Sequence, residues 1–197
     1  MTRVIGITGA IGSGKSTVGN ILDSMGIPVV DTDQIVHELL SKPGPIRRAV
    51  IERFGPDMVA EKGDGAVDRV KLAAIVFADS GSRRDLEAII HPAVILECRR
   101  RTREFSERPV VAILVPLLFE AGIAAEFDEV WAVVTAEPIL RERLRERGAM
   151  SDEEIDSRLA AQLSQAEKAT RAQKTIDNSG SLEETYRQVA VLIKALV

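Results

Sequence analysis

The sequence predicts an α/β fold in which a parallel sheet of five strands lies between helices. Short stretches rich in Val and Ile alternate with longer stretches whose apolar residues recur at helical spacing. The short stretches are nearly continuously apolar, which is typical of parallel strands covered on both faces. Strands that alternate with helices in this way indicate consecutive βαβ units.

We expect five strands and eight helices. The expected strands cover 3–8, 27–30, 110–115, 130–134 and, as a shorter candidate, 174–177. The expected helices cover 15–25, 33–41, 45–53, 68–78, 92–105, 138–147, 152–171 and 182–196. Ser151 followed by Glu154 is typical of a capping box, which places the start of a helix at 152.

A GxxxxGK[ST] phosphate-binding loop (P-loop) follows the first expected strand at once. It consists of Gly9, Ala10, Ile11, Gly12, Ser13, Gly14, Lys15 and Ser16, and Thr17 continues into a helix. The glycines let successive backbone N–H groups surround a phosphate, and the helix directs its positive end at the same group. Because the motif has the strand and the helix that it requires, the sequence predicts that the chain binds a nucleoside triphosphate.

Two residues of this loop have further roles. Lys15 supplies an ammonium group for the β- and γ-phosphates, and the Ser16 hydroxyl is a ligand for Mg²⁺. We count Lys15 among the catalytic residues, and the whole loop with Thr17 among the nucleotide contacts.

Asp31 and Asp33 follow the second expected strand. Ligands of doubly wound sheets bind beyond the carboxyl ends of the strands. We expect this strand to lie beside the first, and residues two apart in an extended segment point to the same side. One carboxylate would accept a proton from an attacking hydroxyl, and the other would hold Mg²⁺ through water. The structural alternative is that Asp33 only caps the helix that begins at Gln34.

About eighty residues separate the second strand from the next one, far more than a βαβ crossover needs. They predict a helical substrate-binding insertion at 34–108. His37 lies one turn after Asp33 on the same helical face, and His91 precedes Pro92 at an expected helix start. Each histidine is a candidate substrate contact or a simple neighbour of the helix.

The strand over 110–115 is followed by a mostly apolar loop with one acidic residue. Its candidate substrate contacts are Leu117, Leu118, Phe119 and Glu120. Ordinary packing is the alternative for the three apolar side chains.

A charged helical pair over 138–172 predicts a lid above the nucleotide. Arg143 and Arg147 are four residues apart, and Arg158 and Gln162 repeat that spacing. Most of these arginines fit a solvated face, but one or two should close over the phosphates, because phosphoryl transfer gains from surrounding cations. We count Arg143 among the catalytic residues.

The rest of the chain forms the nucleotide-binding core, at 1–33, 109–137 and 173–197. After the last strand, the loop over 176–180 is either a plain turn or a source of groups for the nucleotide base, with Asn178 as the candidate.

The composition suits one domain with insertions: 197 residues, 45% of them hydrophobic, with a net charge of −4. An acidic balance argues against general nucleic-acid binding. The single cysteine, Cys98, fits a reducing cytosol, and no apolar run is long enough to span a membrane. We therefore expect a cytoplasmic protein, either a monomer or a small homo-oligomer.

Six segments in order resemble one family, the dephospho-coenzyme A kinases. They are Ile7–Ser16, Asp31–Asp33, Leu86–Pro92, Val115–Glu120, Arg158 with Gln162, and Ile176–Gly180. The resemblance implies a nucleotide core, a helical coenzyme A domain and a lid. It also implies that ATP phosphorylates the ribose 3′-hydroxyl of dephospho-coenzyme A, with Asp33 as base and with His91 and the Leu117–Glu120 segment near the acceptor.

The sequence departs from the family pattern at three positions. His37 stands where many relatives carry Arg, Leu140 where Gln is common, and Gln173 where Asp often precedes the last strand. None of these positions belongs to the phosphate loop or to the aspartate pair.

Two other functions stay open. Another small-molecule or nucleoside monophosphate kinase would share the loop and the lid but differ in the acceptor domain. A nucleotide-dependent switch of the GTPase type would need an Asn-Lys-x-Asp motif, which neither Asn20 nor Asn178 begins.

Overall fold

The computed structural model describes residues 2–60, 65–148 and 150–196, apart from the side chain of Arg147. The chain divides into two compact units. Met1–Asp31 and Thr102–Val197 form the first, and Thr32–Arg101 form the second. The first unit contains the sheet and the phosphate loop, and the second is largely helical.

The sheet has five strands, all paired in parallel, in the order β2-β3-β1-β4-β5. The strands are β1 (Arg3–Gly9), β2 (Val29–Asp31), β3 (Val110–Leu114), β4 (Glu129–Val134) and β5 (Lys174–Asp177). In the register, Ile5 of β1 lies opposite Ala112 of β3 and Glu129 of β4. The predicted five-stranded parallel sheet is confirmed.

The expectation that the second strand lies beside the first is wrong, because β3 lies between them. All five residues of β3 are buried, as befits an interior strand. β2 has only three residues and lies at the edge, where a short strand leaves few unpaired backbone groups. The most continuously apolar stretches therefore occupy the centre of the sheet, whatever their order along the chain.

Nine helices are described. They are α1 (Lys15–Ser24), α2 (Thr32–Ser41), α3 (Pro45–Phe54), α4 (Arg69–Ala78), α5 (Ser80–Glu104), α6 (Glu137–Gly148), α7 (Asp152–Ala160), α8 (Gln165–Arg171) and α9 (Leu182–Leu196). None of them is long and apolar enough to cross a membrane.

Two of the expected helices differ from the observed ones. The expected helix start at Pro92 is wrong, since α5 begins at Ser80 and contains Pro92 in its interior. The expected helix over 152–171 is two helices, because Ser164 begins α8 with a capping box of its own. The capping box at Ser151 is confirmed: the Ser151 hydroxyl accepts from the Glu154 amide at 3.3 Å, and the Glu154 carboxylate accepts from the Ser151 amide at 2.9 Å.

Two apolar clusters form the core of the first unit. The larger one lies between the sheet and the helices α1 and α9, and it includes Ile7, Leu22, Trp131 and Val189, all fully buried or nearly so. The smaller one joins Ala10 of the phosphate loop to Leu140, Leu144 and Ile155. The helices α6 and α7 thus pack directly on the phosphate loop.

In the second unit, the ends of α2 and α5 are joined by ion pairs. The Arg101 guanidinium binds the carboxylates of Glu97 at 2.8 Å and of Glu38 at 3.1 Å. The ammonium of Lys42 binds Glu38 at 2.9 Å. A cavity of about 240 Å³ adjoins these pairs and is lined on its apolar side by Ile35, Leu39 and Ile46.

Candidate active site

The phosphate loop turns between β1 and α1 with a backbone that requires glycine at two positions. Gly12 and Gly14 have φ angles of 81° and 95°, in the region that side chains disfavour. A Cβ atom on Gly14 would also overlap the side-chain amide of Asn178. The loop therefore holds its shape only with glycine at these places.

Hydrogen bonds to the backbone oxygen of Ser13 hold the phosphate loop in place. This oxygen accepts hydrogen bonds from the Thr135 hydroxyl and from the Asn178 side-chain amide, both at 2.9 Å. The Thr185 hydroxyl in turn donates to the Asn178 Oδ1 atom at 3.0 Å. All four residues are buried, so strands β4 and β5 and helix α9 together fix the loop.

These bonds give Asn178 a role that the sequence did not reveal. Both polar atoms of its side chain bind protein groups, and only 3% of the residue is exposed. Its side chain positions the phosphate loop, and the predicted contact of Asn178 with the nucleotide stays a prediction.

Lys15 begins α1 and folds back over the loop. Its ammonium donates to the backbone oxygens of Gly9 at 2.8 Å and of Ala10 at 3.3 Å. The charge thus lies against the loop whose amides are expected to bind phosphate. Ser16 follows within the first turn of α1.

Arg143 of α6 is joined to the same buried cluster. Its guanidinium donates to the Thr135 hydroxyl at 3.3 Å and to the backbone oxygen of Asn178 at 3.0 Å. Arg158 of α7 has an exposed side chain. The side chain of Arg147 lies outside the described part of the chain. Of these three predicted lid arginines, Arg143 therefore has described side-chain bonds to residues that fasten the phosphate loop, whereas Arg158 contributes its backbone oxygen, which accepts from Gln162 at 3.3 Å.

The turn over 161–164, between α7 and α8, contacts the phosphate loop and the segment after β3. The Gln162 Oε1 atom accepts from the Ile11 amide at 3.3 Å. One residue later, the Leu163 amide donates to the Glu120 carboxylate at 2.9 Å. The helical spacing of Arg158 and Gln162 drew attention to this segment but could not indicate either bond.

The candidate substrate contacts after β3 differ in exposure. Leu117 is 43% exposed, whereas Leu118 is fully buried. Leu118 and Phe127 fill the space beside Gly6, so that a Cβ atom added to Gly6 would lie 2.7 Å from the Leu118 side chain. The Leu118 side chain thus belongs to the packing alternative. The predicted substrate contacts of Leu117, Phe119 and Glu120 stay predictions.

The aspartate pair is arranged differently from the expectation. Asp31 ends β2 opposite Leu114, but α2 begins at Thr32, so Asp33 lies in the first turn of a helix. The expected extended segment is therefore wrong. Asp33 is also not the cap of a helix that begins at Gln34, and a carboxylate in the first turn is favoured by the helix dipole.

The two histidines lie in the second unit. The Nδ1 atom of His37 lies 3.0 Å from a guanidinium nitrogen of Arg69, so in the neutral ring Nδ1 accepts and the proton resides on Nε2. His91 is half-buried within α5. Whether either one binds substrate stays a prediction.

The donor set fits a magnesium ion that is held mostly by phosphate and water. Among the described residues there is no group of three or more His, Cys, Asp or Glu side chains that could hold a metal. Mg²⁺ beside nucleotide phosphates commonly needs only one or two protein ligands. The Ser16 hydroxyl, in the first turn of α1, is the candidate for such a ligand.

The comparisons with known proteins bear on the whole chain. A family model described as dephospho-CoA kinase matches residues 3–184. The chain belongs to the dephospho-CoA kinase family. A dephospho-CoA kinase of Symbiobacterium thermophilum is 46% identical over 98% of this chain and 81% of the relative. One of Geobacter metallireducens is 42% identical over 97% of this chain and 95% of the relative.

Two solved structures are similar to this chain over its whole length. The structure of TT1252 from Thermus thermophilus has a TM-score of 0.80 and 34% identity, and covers 100% of this chain and 98% of that one. A dephospho-CoA kinase from Campylobacter jejuni has a TM-score of 0.72 at 24% identity, over 100% of this chain and 98% of that one. At that identity the second likeness supports the fold of the dephospho-CoA kinases.

Proposed function

We propose that the chain is an enzyme that transfers the γ-phosphoryl group of ATP to the ribose 3′-hydroxyl of dephospho-CoA. The products are CoA and ADP, and the reaction is the last step of CoA biosynthesis. The match of residues 3–184 to the dephospho-CoA kinase family carries this proposal. The phosphate loop adds independent chemical support, because its shape and its lysine suit a nucleoside triphosphate.

The first unit holds ATP in this proposal. Backbone amides of the loop over 9–16 surround the phosphates, and the start of α1 adds its positive end. Lys15 stabilises the charge that builds on the β- and γ-phosphates, and Arg143 adds a second cation. Thr17 and Asn178 complete the set of nucleotide contacts.

The Ser16 hydroxyl, with Asp31 through water, would hold Mg²⁺. A bound ion there would neutralise charge on the β- and γ-phosphate oxygens.

The transfer itself needs a base and a placed hydroxyl. Asp33 accepts the proton of the acceptor's 3′-hydroxyl while that oxygen forms a bond to the γ-phosphorus. The bond from the γ-phosphorus to the bridging oxygen breaks, and the electron pair leaves with ADP. The insertion over 34–108 binds the acceptor, with contacts from His37 and His91. The loop after β3 adds contacts from Leu117, Phe119 and Glu120, and the buried Leu118 supports that loop by packing.

The segment over 138–172 acts as the lid. Its arginines, with Arg143, Arg147 and Arg158 foremost, shield the phosphates from water, which would otherwise compete with the acceptor. The direct bond between Gln162 and the phosphate-loop amide of Ile11 supports this role.

An assay of ADP release tests the function. The purified chain is given ATP and Mg²⁺ with dephospho-CoA, with AMP, or with no acceptor. We expect rapid ADP release with dephospho-CoA, and little with AMP or without an acceptor. By mass spectrometry the product should carry one phosphate more than dephospho-CoA, and a 3′-specific phosphatase should remove it. Phosphate on AMP would support another P-loop kinase instead. ADP release that is equal with and without acceptor would support a nucleotide-dependent switch.

A further inference from the structure

Lys168 of α8 is a completely buried cation. Its side chain is 0% exposed, and its ammonium donates to the backbone oxygen of Pro116 at 2.9 Å and to the Glu120 carboxylate at 2.7 Å. A buried charge is tolerated only where it is paired and hydrogen-bonded. These bonds meet that condition and tie α8 to both ends of the segment over 116–120.

The same two acceptors have further partners at the site. The Pro116 oxygen also accepts from the Thr8 hydroxyl at 3.2 Å, and Thr8 directly precedes the phosphate loop. The Glu120 carboxylate also accepts from the Leu163 amide, beside Gln162. Lys168 is therefore the centre of a network that joins the phosphate loop, the segment over 116–120 and the turn between α7 and α8.

We propose that Lys168 is a positioning residue for phosphoryl transfer, which sets the place of the Leu117–Glu120 segment relative to the phosphate loop. This inference rests on the proposed function, because it takes the segment to be an acceptor contact. Lys168 itself is fully buried and acts through Pro116 and Glu120. Its loss should thus weaken acceptor binding much more than ATP binding.

Lys168→Met tests the role, since methionine keeps the length of the stem and removes the ammonium. We expect the KM for dephospho-CoA to rise about tenfold and the KM for ATP to stay within about twofold. Both constants come from ADP release measured at saturating levels of the other substrate. The Tm of each variant is measured alongside.

Val189→Ala is the matched control. Val189, on α9, is fully buried in the larger core cluster. Its truncation therefore lowers the Tm without removing any bond of the Lys168 network. A purely structural role for Lys168 predicts that both variants lower the Tm and leave the ratio of the two KM values unchanged. That result would overturn the proposal.

Thr8→Val keeps the proposal testable if Lys168→Met does not fold. It removes a different donor to the same Pro116 oxygen with little change in volume. We expect a smaller rise, of about twofold to threefold, in the KM for dephospho-CoA. If Thr8→Val leaves the KM for dephospho-CoA unchanged, that result would count against the network.

The wild-type chain separates the two levels of inference. If it transfers no phosphate to dephospho-CoA, the proposed function fails. If it does, and Lys168→Met behaves like Val189→Ala, only the role of Lys168 fails.

Discussion

At the scale of single residues, the site is governed by a few buried polar atoms. The Ser13 oxygen receives two side-chain donors, and the Pro116 oxygen receives two others. Carbonyl oxygens with two lone pairs suit this use. Because these bonds use carbonyl oxygens, side chains from distant parts of the sequence can hold the phosphate loop while its backbone amides stay available for phosphate.

Lys15→Ala should nearly abolish transfer and leave the fold intact. The ammonium stabilises charge on the β- and γ-phosphates, which backbone amides alone do not neutralise. The measurement is turnover in the ADP-release assay, with circular dichroism as the check on folding. Lys194→Ala, at an exposed position of α9, is the control and should behave like wild type. A folded Lys15→Ala that keeps more than about a tenth of wild-type turnover would refute the role.

Asp33→Asn should lower turnover far more than it weakens ATP binding. The amide keeps the shape of the side chain but cannot take a proton, and the loss of a general base costs about 10² to 10⁴ in rate. Turnover and the Kd for ATP are measured separately, with Asp31→Asn as the companion variant. Near-normal turnover for Asp33→Asn with an inactive Asp31→Asn would show that the two roles are reversed.

Cys98 should resist alkylation in the folded chain. Burial raises the pKa of the Cys98 thiol to about 11, so that roughly one molecule in a thousand carries a thiolate at pH 8. Iodoacetamide labelling at pH 8, followed by mass spectrometry, should be slower by about a hundredfold or more than in the same chain unfolded in urea. Equal rates in the two states would contradict the burial of this thiol.

At the scale of elements, regular structure was easier to predict than its exceptions. Continuous apolar stretches located the first four strands, because a parallel strand covered on both faces is apolar on both. β5 (Lys174–Asp177) has one buried residue and was predicted only as a shorter candidate. Pro92 misled the prediction of α5, since proline favours the first turn of a helix but here lies inside one. The capping box at Ser164 was not predicted, because it lies inside the stretch over 152–171, whose periodicity indicated a single helix.

The residues that fasten the site were largely beyond prediction from the sequence. The phosphate loop is recognisable because its chemistry lies within eight consecutive residues. Thr135 and Lys168 are bonded to residues far away along the chain. Thr185 acts through Asn178, whose own bond to the Ser13 oxygen is also long-range. Nothing local distinguishes a buried lysine on a charged helix from an exposed one, so such contacts emerge only when the sheet order is known.

The segment over 138–172 should close when both substrates bind. Its helices α6 and α7 pack on Ala10 of the phosphate loop through Leu140, Leu144 and Ile155. Amide exchange across this segment should slow when a non-hydrolysable ATP analogue and dephospho-CoA are both present. The amides of α9 serve as the internal reference. Unchanged exchange over 138–172 would count against a lid.

At the scale of the whole molecule, the two units divide the chemistry in our proposal. The first unit contains the loop for the phosphates, and the second contains the helical insertion for the acceptor together with Asp33. Their different composition fits this division, because the sheet unit is built on apolar strands and the ends of α2 and α5 are joined by ion pairs.

The sheet order also has a consequence for synthesis on the ribosome. Within the described part of the chain, β1 pairs with the strands that begin at Val110 and Glu129, and the loop after it is fastened by Asn178. β1 is translated before both of these strands, so it must wait without a pairing strand until they have emerged. β1 and the phosphate loop are thus translated well before they can acquire their final shape, and nascent chains should gain affinity for ATP only after Asn178 has emerged.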